Sequence, residues 1–158
     1  MLDLIIKNGS CYINKNLKDQ DIAIKDGKII KIGKIVNAAK DIFDAKGLTV
    51  LPGCIDTQTH FREPGSTDTE DLHSGSRAAI VGGITSVFEM PNTNPPTSNK
   101  TEFQKKLDLA KNRMHCNYAF YFGATPDNAD ELADLKNLEG CCGIKLFAGS
   151  STGNLLVQ

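Results

Sequence analysis

"GCIDTQTHFREPG", residues 53–65, is the stretch on which the reading of this chain turns. Cys54 and Ile55 lead into Asp56, Gln58, His60 and Arg62, and the run stops at Pro64-Gly65. Side chains alternate across a strand, so these four polar residues are expected on one side, with Thr57, Thr59 and Phe61 on the other. Polar groups crowded at the end of a strand suggest a ligand, because parallel α/β folds bind at the C-terminal ends of their strands.

Working outward, the pattern after this stretch alternates. A helical pattern is expected over 70–81, followed by the strand "ITSVFEM" and the turn "PNTNPPTSN". A helix over 100–113, a strand over 116–123, a helix over 128–138 and the strand "CCGIKLFAG" follow. Such strand–helix alternation predicts parallel strands with right-handed crossovers. The segment before it, 2–50, reads instead as short strands. Asn8-Gly9 and Asp26-Gly27 both favour the φ > 0 geometry of a two-residue hairpin, and a further strand is expected over 48–51. The predicted fold class is therefore α/β, in two parts. Residues 1–52 form a small β-meander or sandwich part, and 53–158 carry four βα units. A closed (β/α)8 barrel takes ~250 residues, so the second part is either a small open α/β sheet or half a barrel.

With 40% apolar and 23% charged residues, a packed core is within reach. A formal net charge of −1 creates no field that favours nucleic acid or a membrane surface. No apolar run approaches ~18 residues, and "MLDLIIKNGS" lacks the layout of a signal peptide. The expected location is cytoplasmic. Five cysteines without a C-x-x-C pair exclude a zinc finger and read as reduced, mostly buried side chains. Lys105 and Lys106, set among acids, read as a solvated helix face.

Other polar residues fall at strand ends. Glu89 and Met90 close the second strand with Asn92 just beyond, and Lys145 stands in the apolar "GIKLFAG". A cation in a central strand is expensive to desolvate unless it is paired or chemically changed. Each residue has a plain alternative. His60 alone suits a structural role, Asp56 a turn, Arg62 and Glu63 a surface pair, Lys145 a snorkelling head, and Asn92 an Asx turn. Their convergence at one end of successive strands favours a site.

These residues also carry a resemblance. "LTVLPGCIDTQTHFREPG" resembles the opening barrel strand of the cyclic amidohydrolases within the amidohydrolase superfamily. "HFREPG" with "FEMPNTNPPT" is similar to the dihydroorotases, and "GIKLFAGSSTGNLLV" to the fourth-strand region that bears a carboxylated lysine. "IAIKDGKIIKIG" and "DAKGLTVLPG" match the N-terminal β-domain of these enzymes. The resemblance implies the first half of a TIM barrel and a zinc-dependent opening of dihydroorotate to N-carbamoyl-aspartate, a step of pyrimidine biosynthesis. It places His60 and Lys145 among the metal ligands, with Gln58 where a first histidine stands in the family. It gives Arg62 and Asn92 to the substrate carboxylate and leaves Asp56 as a supporting carboxylate.

Two departures bear on activity. An amide oxygen is a weaker zinc donor than imidazole, so Gln58 weakens one metal position. The family's later histidine ligands and its catalytic aspartate have no counterpart here, and His73 and His115 are poor substitutes. The expectation is an N-terminal fragment without catalytic residues, inactive or very weak alone. Open edges on the first and fourth strands point to self-association or to a separately encoded C-terminal half. The other readings are a non-catalytic interaction module and the remnant of a degraded gene.

Overall fold

Asn14 and Lys15, with φ of 49° and 65°, turn the first strand back on itself. They join β1 (Leu2–Ile13) to the antiparallel β2 (Asn16–Lys25), and two positive φ values in succession are what a type I′ hairpin requires. Asp26 and Gly27, at 50° and 71°, repeat the device before β3 (Lys28–Gly33). β4 (Ala39–Asp44) and the short β5 (Thr49–Val50) then run parallel to β1. The sheet order is β3-β2-β1-β4, with β5 beside the far half of β1. Leu2, Ile5, Ala23 and Ile35 form its buried cluster.

Asn8-Gly9 is not the hairpin turn its composition suggested. It lies inside β1, where the register against β2 slips between Ile6 and Gly9. Asn8 takes φ 60°, its N–H donates to Asp21 Oδ1 at 3.1 Å, and its amide donates to Asp44 Oδ1 at 2.9 Å. A β-bulge and a tight turn use the same left-handed geometry, so the dipeptide cannot distinguish them. Gly9 is needed for closeness as well, since a Cβ there would stand 2.6 Å from Val50 Cγ2.

The computed structural model describes residues 1–149 and 155–157, in two compact units, Met1–Pro52 and Gly53–Gln158. The part of the Lys145 motif at 150–154 lies outside the described residues.

In the second unit β6 (Cys54–Thr59), β7 (Ile84–Glu89), β8 (Asn117–Gly123) and β9 (Cys141–Lys145) pair in parallel and in chain order. The helices between them are α1 (Leu72–Val81), α2 (Lys100–Ala110) and the short α3 (Ala129–Leu132). This curled parallel sheet with its crossovers is the first half of a (β/α)8 barrel. Val87, Phe120 and Phe122 face the helices and pack with Leu72, Phe103 and Ala110. Asp71 caps α1 by accepting the Ser74 N–H at 2.6 Å, and Asn99 caps α2 by accepting the Glu102 N–H at 2.9 Å.

The helix expected over 128–138 is broken into α3 and a 3-10 turn, Leu135–Asn137. Asn128 does not cap it. Its amide donates to Gly123 O at 2.9 Å and Ser98 O at 2.8 Å, while its oxygen accepts the Thr125 N–H at 2.8 Å. Leu132, Leu135 and Leu138 recur every third residue, the spacing that eclipses on a 3-10 helix. Among the described residues, no helix is long and apolar enough to cross a membrane.

Candidate functional site

β6 stops at Thr59, and its register against β7 is irregular between Asp56 and Thr59. Simple alternation therefore does not carry from Asp56 through to Arg62. Asp56 Oδ1 accepts the N–H of Gln58 at 2.9 Å, which fixes the bend and commits that oxygen to its own chain. Gln58 is exposed, whereas His60 is half-buried.

Beyond the strand, Arg62 takes φ 63°, uncommon for a residue with a side chain. Its carbonyl accepts the Ser66 N–H at 2.9 Å, which holds the reversed chain. Across from it, β7 runs out through Met90 and Pro91 to Asn92. Asn92 Oδ1 is buried and has no well-formed hydrogen bond among the described residues, the His60 ring being its polar neighbour. An acceptor left that way costs ~1–3 kcal/mol, so it suits a ligand donor.

Several of these residues act on His60 together. Burial pushes its pKa below the ordinary 6.5, and the Arg62 charge pushes the same way. The charges of Lys106 and Lys145 add to this, while the Asn92 side chain opposes it. An imidazole kept neutral retains a lone pair for a metal or a proton.

Lys145 closes β9 and is half-buried rather than enclosed. Its Nζ lies 5.2 Å from the centre of the Phe147 ring, a favourable place for a cation. Desolvation alone thus does not demand a carbamate on this lysine. His73 and His115 meet each other, with ring centres 4.7 Å apart, edge to face and exposed. Among the described residues, no group of three or more His, Cys, Asp or Glu is placed to hold a metal ion. His60 offers one imidazole, Gln58 a neutral amide, and Asp56 a carboxylate already engaged. This donor set does not make a complete metal centre by itself.

Two ion pairs, one buried and one half-buried, escaped the sequence reading. Lys106 is not on a solvated face, because its side chain is 0% exposed and meets Glu89, 1% exposed, at the end of β7. Its neighbour Lys105 is the solvated one, paired with Glu102 at 2.7 Å. The signal was present in the spacing, since Phe103, Lys106 and Ala110 share the buried stripe of α2. Glu63 does not pair with Arg62 at the surface. It is buried, accepts the Leu72 N–H at 2.9 Å and is gripped by Arg113.

Comparison with known proteins places this geometry in context. The sequence profile described as Amidohydrolase family matches residues 49–143. A dihydroorotase of Methanosarcina mazei is 40% identical over 160 residues, which covers 100% of this chain and 35% of that protein. An allantoinase of Escherichia coli is 42% identical over 149 residues, covering 94% and 33%. The L-hydantoinase (dihydropyrimidinase) structure from Arthrobacter aurescens superimposes with a TM-score of 0.89 at 30% identity, over 99% of this chain and 35% of that one. The chain therefore spans about a third of the length of the curated relatives it matches.

Proposed function

Because the chain belongs to the amidohydrolase family, we propose that it contributes the substrate clamp of a cyclic amidohydrolase that interconverts dihydroorotate and N-carbamoyl-aspartate in pyrimidine biosynthesis. The observation that carries this reading is the meeting of the half-buried His60, the exposed Arg62 just after it and the buried oxygen of Asn92 at the ends of β6 and β7. Dihydroorotate fits such a place. Its carboxylate suits the fork of Arg62, and a ring N–H suits Asn92 Oδ1. Allantoin and simple hydantoins lack the carboxylate and leave the positive charge unanswered. Free cysteines throughout the chain support a cytoplasmic setting.

Members of this family generally use metal ions, and we propose zinc, with His60 as the strong donor on this chain. Gln58 is a weak second donor, Lys145 becomes one if carboxylated, and Asp56 steadies the backbone of Gln58. No general base accompanies them among the described residues, so turnover is proposed to need groups from outside those residues. β6 and β9 form the open edges of the parallel sheet among the described residues, and Ile55, Ile144 and Leu146 are exposed there. Another copy of the chain or a separately encoded half is proposed to cover them.

Calorimetric titration of the zinc-supplemented chain with N-carbamoyl-aspartate and with allantoin tests the reading. Binding of carbamoyl-aspartate that disappears in Arg62→Ala is expected. Preference for allantoin sinks the choice of substrate. Binding of neither ligand by folded protein favours a non-catalytic interaction module or a gene remnant. Turnover by the chain alone, lost in Lys145→Ala, overturns that need.

A further inference from the structure

The Glu89–Lys106 pair lies behind the site, on the helix side of the sheet. Val87 and Glu89 point the same way along β7, into the space filled by α2. Glu89 Oε1 accepts the N–H of Phe61 at 3.3 Å, and Oε2 meets Lys106. Lys106 Nζ in turn donates to the carbonyl of Met90 at 3.1 Å and stands 5.1 Å from the centre of the Phe120 ring. The two backbone groups held in this way lie where the ladder has run out. Phe61 sits between His60 and Arg62, and Met90 precedes Pro91 and Asn92. One further bond, Met90 N–H to Thr59 O at 2.9 Å, ties the two ends together.

Stability alone does not account for this arrangement. Two well-packed apolar residues in place of a buried ion pair are often neutral or more stable by ~1–4 kcal/mol. What apolar residues cannot do is satisfy a buried N–H on one chain and a buried C=O on the other. Charge-assisted bonds also fix geometry more tightly than neutral ones.

We infer that Glu89 and Lys106 are positioning residues, which hold the ends of β6 and β7 so that His60 and Arg62 face Asn92. For its ligand this inference rests on the function proposed above. For its geometry it does not. Neither side chain touches the ligand itself.

The test compares wild type, Glu89→Gln/Lys106→Met and the exposed-neighbour control Lys105→Met. Amide NMR spectra, melting temperature and N-carbamoyl-aspartate affinity are recorded for each. The double variant removes both charges together, so no buried ion is left alone. It is expected to fold, with the Met90 and Asn92 amide signals displaced and affinity reduced on the order of tenfold, as a misplaced ligand group implies. Lys105→Met is expected to change none of these. A folded double variant with Met90 and Asn92 signals at their wild-type positions overturns the inference, whatever its affinity. Should that variant not fold, Glu89→Leu/Lys106→Met is judged by the same signals. If wild type itself binds no carbamoyl-aspartate, the proposed substrate fails, and the amide signals still decide the positioning role.

Discussion

Arg113 closes two bonds on Glu63 across fifty residues of chain, Nη1 to Oε1 at 2.7 Å and Nη2 to Oε2 at 3.1 Å. The same carboxylate accepts the N–H of Leu72 at 2.9 Å, one of the amides that the first turn of α1 leaves without a helical partner. Arg113 also donates to Leu109 O at 3.2 Å. The loop that leaves the site, the start of α1 and the end of α2 are thus joined at one acid.

Replacing Glu63 by Ala is expected to destabilise the protein by ~1–3 kcal/mol, the usual result of stranding a buried donor. Arg113 is 36% exposed, so solvent screens much of its ionic share, and most of the loss is assigned to Leu72. Glu63→Gln keeps an acceptor and is expected to lose less. Urea denaturation of the two variants checks this, and equal midpoints count against the assignment.

Glu89 gives a pH dependence with a definite sign. Burial raises its pKa from the ordinary 4.5 to about 7, against the pull of Lys106. Between those values the folded protein keeps a proton that the unfolded chain has released, so stability falls as pH rises. The contribution is fully present below 4.5 and lost on passing about 7. Burial also lowers the pKa of Lys106, and that group acts in the opposite sense at higher pH, up to its ordinary 10.5. Wild-type stability, measured relative to Glu89→Gln, is expected to decline from pH 4.5 to about 7. A rise over that range contradicts the placement of Glu89.

The difference between what could and could not be read from the sequence has physical causes. The parallel sheet was legible because its strands alternate with helical segments, its half-barrel form followed from the resemblance, and Asp26-Gly27 announced its turn. Asn8-Gly9 misled because a bulge and a hairpin share one backbone geometry. Lys106 misled because composition does not register which of two adjacent lysines falls under the stripe of Phe103 and Ala110. For the site, residue types at strand ends were readable. The irregular register after Asp56, the left-handed turn at Arg62 and the open oxygen of Asn92 were not. The register depends on pairing with the distant β7, and the bend at Asp56 and the turn at Arg62 on local hydrogen bonds that residue types do not announce.

Gly75 tests how tightly Phe61 is held. A Cβ there would stand 2.4 Å from Phe61 Cδ1. Ala is the better helix former by about 1 kcal/mol. Overpacking of a filled core costs ~1–3 kcal/mol and is expected to win. Gly75→Ala should therefore lower the melting temperature, and it should also displace the amide signals of His60 and Arg62. A raised melting temperature shows that the ring yields easily.

His60 offers the most direct reading of the site. Burial is the largest influence on it and lowers its pKa below 6.5, and the Arg62 charge is the next. A folded value below the unfolded one means that the unfolded chain takes up a proton first as pH falls. The stabilising contribution is then complete above 6.5 and lost as pH drops through the folded value. Titration of the His60 ring by NMR in the metal-free protein is expected to show this depressed value. Arg62→Ala should raise it, because a nearby cation no longer opposes protonation. Asn92→Ala should lower it, because the one influence favouring the charged ring is gone. Shifts of the reverse sign in both variants separate these residues from His60 and with it remove the clamp on which the proposed substrate depends.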